Sequence, residues 1–269
     1  MVPTSDSRNF LAAVRDASLH YEFFGPLVSA ARKRTSVYIV ASPRHQVGKT
    51  FLARLLCDFL RLEGRSICGF DVAPGDDALK DYLPAVAPIA DIAETPSHVA
   101  LFDRLIVDDG IVKVVDLGGA AYQRFFSIVE EVGFVAEARR RTIELTILFA
   151  ADAHPASAAA YADLQRRLPD TVVVPVFNDA ITQGRPLREQ FPAQRAAAVP
   201  LQIPFLPPAL KVEADRLPYA FAYVHDRLPP QLPAAIAVEL RFWTRRTFLE
   251  FRELQLRLLL EELRASLAR

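Results

Sequence analysis

Five short runs of apolar and β-branched residues, at 36–41, 67–71, 111–116, 144–150 and 171–177, are too continuous to alternate between core and water. They read as strands buried on both faces, the pattern of a parallel sheet covered by helices. Between them the apolar period becomes helical. Leu52, Leu55, Leu56, Phe59 and Leu60 form one stripe over 50–62. Further helices are expected at 96–108, with Thr95 as cap and Pro96 in the first turn, at about 120–138, and at 155–167. Residues 8–34 also carry a helical pattern, ending in the basic run Arg32-Lys33-Arg34. Beyond the last core strand, prolines at 200, 204, 207, 208, 218, 229, 230 and 233 break any long element. Residues 234–268 then read as one proline-free helix. In it Phe242, Leu249, Leu256 and Leu263 recur at heptad spacing, with Leu259, Leu260 and Leu267 as a second row among Arg and Glu. That pattern fits packing on the core or association with a partner or a second copy.

Alternating strands and helices predict an α/β fold, a mostly parallel, doubly wound sheet covered by helices. Three segments follow: a helical extension at 1–35, a core at 36–210, and a Pro-rich connection with a C-terminal helix at 211–269.

Composition narrows the partners. Acidic and basic residues balance at 32 each among 269, so no net field draws nucleic acid or anionic lipid, and such binding needs a local patch. Cys57 and Cys68 are the only cysteines and no C-x-x-C occurs, which reads as reduced thiols of a cytoplasmic protein rather than a disulfide or metal site. No apolar run reaches the roughly 18 residues of a membrane span, and the mixed Arg and Glu of the last helix argue against a membrane-surface role.

Two strand ends carry candidate chemistry. The first strand runs through Ser42-Pro43-Arg44-His45-Gln46-Val47 into Gly48-Lys49-Thr50 and an apolar-striped helix. A phosphate site needs a glycine that lets backbone N–H groups close on oxygens, an ammonium, a hydroxyl for Mg²⁺ and the positive end of a helix. This segment supplies all four. The run VKVVDLGG at 112–119 ends a strand on Asp116 and turns at Gly118-Gly119, where a carboxylate can hold Mg²⁺ opposite Thr50 and a glycine amide can sense a terminal phosphate. A solvated Asp before a turn would leave the same trace.

Gly48-Lys49-Thr50 closes a loop that resembles the deviant Walker A motif, K-G-G-x-G-K-[ST], of the ParA/MinD family of partition and cell-division ATPases. Arg44 takes the place of the signature lysine, while His45 and Gln46 replace two glycines and Val47 is the variable position. DLGG resembles the family's Walker B strand with its D-x-G switch. CGFDVAPGDD at 68–77 resembles the first switch, Asp71 matching one carboxylate, Pro74 the proline, and Ala73 standing where the second carboxylate is expected; Asp76 or Asp77 are candidate substitutes, or simply a turn and cap. TVVVPVFND at 171–179 resembles the strand whose asparagine, here Asn178, reads adenine, and LQIPFL at 201–206 resembles the late strand and its I-P turn beside the base. Asn178 as a plain turn residue is the competing reading.

The resemblance covers about 36–210 and extends to divergent ATPases of plasmid mobilisation loci. It implies an ATP-binding switch with Mg²⁺, held by Val47, Gly48, Lys49, Thr50, Phe51, Gly118 and Asn178, with Thr50 and Asp116 on the metal. Phe51 replaces a Thr or Ser found in many relatives beside the α-phosphate. Lys49, Arg44, Asp71 and Asp116 would carry catalysis. ATP would drive a homodimer in which Arg44 reaches the other subunit's phosphates, with a protein adaptor or non-specific DNA as further partner. Arg139-Arg140-Arg141, Arg166-Arg167 and Arg245-Arg246 are the candidate DNA contacts, each among acids. Ala73 implies slow hydrolysis or none, leaving a binding regulator or scaffold as the alternative; an ATP-dependent ligase resembling dethiobiotin synthetase is a third reading.

Overall fold

The computed structural model describes residues 34–72, 78–83, 89–90, 95–227 and 229–267. The expectations for 8–33, Ala73, Pro74, Asp76 and Asp77 lie outside them. From Arg34 onward the chain is one compact unit.

The apolar runs become strands β1 (Ser36–Ala41), β2 (Ile67–Val72), β4 (Val112–Leu117), β5 (Glu144–Ala151) and β6 (Val172–Asn178). Two short strands, β3 (Ile89–Ala90) and β7 (Leu201–Ile203), complete a seven-stranded sheet. Every pairing is parallel, in the order β3-β2-β4-β1-β5-β6-β7. Strand β1 has β4 on one side and β5 on the other, so the connections diverge around it. That crevice outside the carboxyl ends of the strands is where doubly wound sheets bind ligands.

Two cores flank the sheet. On one face Tyr38, Val40, Val114, Leu148 and Val176 meet α1 (Lys49–Leu62) and the C-terminal helices. On the other, Ile39, Val115, Phe149 and Val173 meet α3 (Thr95–Leu105), α4 (Tyr122–Glu131), α5 (Phe134–Arg140) and α6 (Pro155–Arg167). Each fully buried Leu, Val, Ile or Phe contributes about 1.5–3 kcal/mol of transfer free energy. A helix expected over 120–138 is instead a short 3₁₀ turn and two helices, because Gly133 takes φ 61° between α4 and α5. Thr95 lies inside α3 rather than capping it, and α3 stops at Leu105.

The Pro-rich stretch is more ordered than its composition suggests. Pro208 opens α8 (Pro208–Asp215), followed by α9 (Ala220–Asp226) and α10 (Ala234–Leu267). They are latched to α1 by charges buried on its outer face. Arg54 is 1% exposed; its Nη1 donates to Asp215 Oδ1 at 2.5 Å and its Nη2 to the Ala214 carbonyl at 2.5 Å, while its guanidinium lies 4.5 Å from the Tyr82 ring centre and 5.1 Å from that of Phe221. Asp58, fully buried, accepts the backbone N–H groups of Phe221 and Ala222 at 2.9 and 3.2 Å. Trp243 of α10 donates from Nε1 to the carbonyls of Pro204 and Phe205, fixing the turn after β7. No helix among the described residues is long and apolar enough to cross a membrane.

Candidate phosphate and metal site

The turn from β1 into α1 is built for close approach. Gly48 is the N-cap of α1 in the left-handed region, φ 84°, and no side chain caps the helix. The first-turn N–H groups of a helix have no acceptor within it, so an uncapped N-terminus presents its donors to an anion. Gln46, where the family pattern has glycine, also has positive φ, 56°. The backbone thus keeps the conformation that glycine would take there, at a cost of about 1–2 kcal/mol for a residue with a Cβ. His45 and Gln46 are exposed, whereas Val47 is buried.

Lys49 is buried and its Nζ donates to the Arg44 carbonyl at 2.5 Å, folding the side chain back over the loop. Burial holds its pKa below the usual lysine value, with Asp116 acting in the opposite sense. Asp116, 4% exposed at the end of β4, accepts a hydrogen bond from Thr50. Its carboxyl is pushed up to about 7 by burial; Asp71 adds to the rise, while Thr50 and Lys49 oppose it. Asp71 and Asp116 occupy the same register position on neighbouring strands. Asp71 is fully buried and its Oδ2 accepts the Lys80 N–H at 2.7 Å from α2 (Leu79–Tyr82), while Oδ1 has no partner among the described residues. Burial raises its pKa as well.

The DLGG turn packs against the loop. A Cβ on Gly119 would stand 3.0 Å from the Pro43 carbonyl oxygen and 3.4 Å from His45 Cε1, so no larger residue fits without moving the loop. Gly118 donates its N–H to the Val72 carbonyl at 2.7 Å, tying β4 to the end of β2. Gly119 therefore packs against the loop between β1 and α1.

Other sequence candidates have local partners. Arg44 Nε donates to Asp152 Oδ2 at 3.1 Å within the same chain. Asp152 follows β5 and was not among the sequence candidates; the Asp-Ala-His-Pro run at the start of α6 is the turn signal that marks it. Phe51 turns its ring into the C-terminal helices, 5.9 Å from Phe221 and 6.0 Å from Trp243, leaving only its backbone at the loop. Asn178 caps α7 (Asp179–Thr182), Oδ1 accepting the Ala180 N–H at 3.0 Å, and its Nδ2 is 2.9 Å from where a Gly48 Cβ would be. The turn role and the place beside the loop are both realised. A cleft of about 380 Å³ near these residues is lined by Phe177, Thr182, Leu187 and Gln202 and by no residue of the loop between β1 and α1.

Two of the three expected arginine clusters carry local ion pairs. Arg139 pairs with Asp170, Arg140 and Arg141 with Glu137, Arg166 with Asp163, and Arg167 with Glu130. Cys57 is buried as expected, but Cys68 is only partly so; both are free thiols. Among the described residues no cluster of three His, Cys, Asp or Glu could hold a metal alone. Magnesium bound with a nucleotide takes one or two carboxylates beside the phosphate oxygens, and Asp116 and Asp71, with the Thr50 hydroxyl on Asp116, form a donor set of that kind. No family model matches this chain, and no curated protein matches it either.

Proposed function

We propose that the chain is an ATP-binding, nucleotide-switched protein of the ParA/MinD type, working in the partitioning or positioning of DNA or a cellular complex. One observation carries the reading: the Thr50 hydroxyl on Asp116, next to a left-handed Gly48 and an inward-folded Lys49, at the crevice where strand connections diverge. A strand-end Asp before a turn would not by itself meet the hydroxyl of a helix N-terminus.

The residues have distinct roles in that reading. Backbone N–H groups of 48–51 hold phosphate oxygens, and Lys49 exchanges the Arg44 carbonyl for them. Magnesium, when bound, neutralises charge on the terminal phosphates; Thr50 and Asp116 would hold it, and Asp71 would orient water around it. Gly119, lying against Pro43, transmits the state of the loop to α4. Arg44 leaves Asp152 to reach the facing subunit of an ATP-bound pair.

The test is titration of Mg-ATP, Mg-ADP and Mg-GTP into wild type, Lys49→Ala and Asp116→Ala, with mass by light scattering and phosphate release in parallel. Micromolar ATP binding lost in both variants, with ATP doubling the mass seen without nucleotide, is the expected result. Phosphate release separates a switch that hydrolyses from one that only binds. Absence of nucleotide binding by the wild type would overturn the reading.

A further inference from the structure

Helix α10 has two unlike faces. Ala237, Leu240, Trp243, Phe248, Phe251 and Leu254 are buried. On the other side Val238, Phe242, Leu249, Leu256, Leu260 and Leu263 are 40–55% exposed, Leu267 is 87% exposed, and Leu259 lies alongside. Positions 242, 246, 249, 253, 256, 260, 263 and 267 step alternately by four and three, the 3.5-residue period of a coiled-coil seam. From Val238 to Leu267 the seam is about 44 Å long at 1.5 Å per residue. Leu254 is the last of the buried residues, so the final three turns have leucines exposed along this side.

We infer that this seam is an interface between two copies of the chain, in which two α10 helices pack antiparallel about a midpoint between residues 254 and 255. The exposed apolar side chains offer on the order of 800 Å² per copy, what a standard-size interface buries on each partner. Scattered surface leucines need no explanation, but a contiguous apolar strip of this size marks a contact surface.

The two charges in the seam choose the partner and its direction. In a parallel two-fold pair each residue meets itself, so Arg246 would face Arg246 and Glu253 would face Glu253 in a desolvated layer. The antiparallel register removes both clashes. Phe242 then meets Leu267 of the second copy, and Leu249 meets Leu260. The alkyl stem of Arg246 covers Leu263, and Glu253 stands beside Leu256. Each such contact occurs twice, as a two-fold interface requires. A lipid surface would call for a basic polar face, whereas Arg246, Glu250, Glu253, Arg257 and Arg264 mix signs along this flank. No seam residue belongs to the loop of Lys49 or the strand end of Asp116, so the pairing is tested without nucleotide.

The experiment is sedimentation velocity of the full chain without nucleotide, over a dilution series. A dimer is expected for wild type and a monomer of unchanged melting temperature for Leu256→Glu/Leu260→Glu, since both positions are exposed in the single chain. Direction is read by mixing Leu249→Cys with Leu260→Cys protein, which should cross-link, whereas Leu267→Cys alone should not. A wild-type monomer throughout overturns the inference, as does a dimer that survives the double glutamate variant. Self-cross-linking at Leu267→Cys overturns the antiparallel register, and a monomer that co-sediments with anionic vesicles assigns the face to lipid.

Discussion

Asp71 and Asp116 stand at the same register position on adjacent parallel strands, both buried, on the sheet face that α1 covers. Neither has a basic partner close enough to offset its burial, so both carboxyls are raised above their usual range, Asp116 to about 7. Two like groups in a water-poor site resist joint ionisation. A divalent cation placed between them would reverse that preference, and this is the electrostatic reason to regard the pair as a ligand site rather than as packing.

That raised carboxyl sets a pH dependence. An acid whose folded pKa lies above its unfolded value of 3.8 holds its proton more tightly in the native state. Its contribution is complete below about pH 4 and is lost as pH rises through about 7. The nucleotide-free protein should therefore lose stability across that window, by on the order of 2–4 kcal/mol from this group. Asp116→Asn should flatten the slope in urea melts from pH 4 to 8 and raise stability at pH 8. Part of the slope will remain, because burial raises Asp58 to about 7 as well. A wild-type stability that climbs from pH 5 to 8 would contradict the assignment.

Magnesium should show the complementary trend. Metal binding needs the ionised carboxylates, so Mg-ATP affinity is expected to increase from pH 6 to 8 and to lose that dependence in Asp116→Asn, measured by calorimetry in buffers of different ionisation heat.

Most of this fold was legible because buried parallel strands announce themselves as continuous apolar runs: β1 and α6 fall where their patterns place them, β2 and β5 run one residue further, and β4 and β6 are shifted by one residue at both ends. The short β7 falls in the LQIPFL run that resembles a late strand, whereas β3 is only two residues long and carries no periodicity of its own. Within the site, Gly48, Lys49, Thr50 and Asp116 were legible because loop chemistry is local in sequence. Asp152, the Lys80 N–H on Asp71, and the buried Arg54 and Asp58 were not. Asp152, Arg54 and Asp58 act through partners more than 100 residues away, and Lys80 reaches Asp71 by its backbone, which no side-chain pattern reports; an Arg or Asp on a helix that later becomes buried has no local signature.

Loop strain gives a direct check on Gln46. Its φ of 56° is unfavourable for any residue with a Cβ, and a β-branched side chain suffers most. Gln46→Gly should leave the melting temperature unchanged or raise it, strain relief offsetting the entropy that glycine adds to the unfolded chain. Gln46→Val should lower stability by about 1–2 kcal/mol. Equal effects of the two substitutions would show that this loop does not hold the left-handed conformation in solution.

The latch between α1 and α8 can be separated from surface charge by two changes at one carboxylate. Asp215 accepts from Arg54, whose side chain is 1% exposed, and from Lys211, whose side chain is 48% exposed, each at 2.5 Å. Removing a buried partner strands a desolvated guanidinium, a loss of about 3–5 kcal/mol, whereas an exposed i,i+4 pair is worth about 0.3–0.5 kcal/mol. Asp215→Ala should therefore destabilise the protein severely and Lys211→Ala barely. Arg54→Met should cost less than Asp215→Ala, because it removes the buried charge together with its need for a partner and keeps much of the packing against Tyr82 and Phe221. Chemical denaturation of the three variants gives the ordering. If Asp215→Ala and Lys211→Ala cost the same, Arg54 is solvated in solution and α8 and α9 are held to α1 by apolar contacts alone.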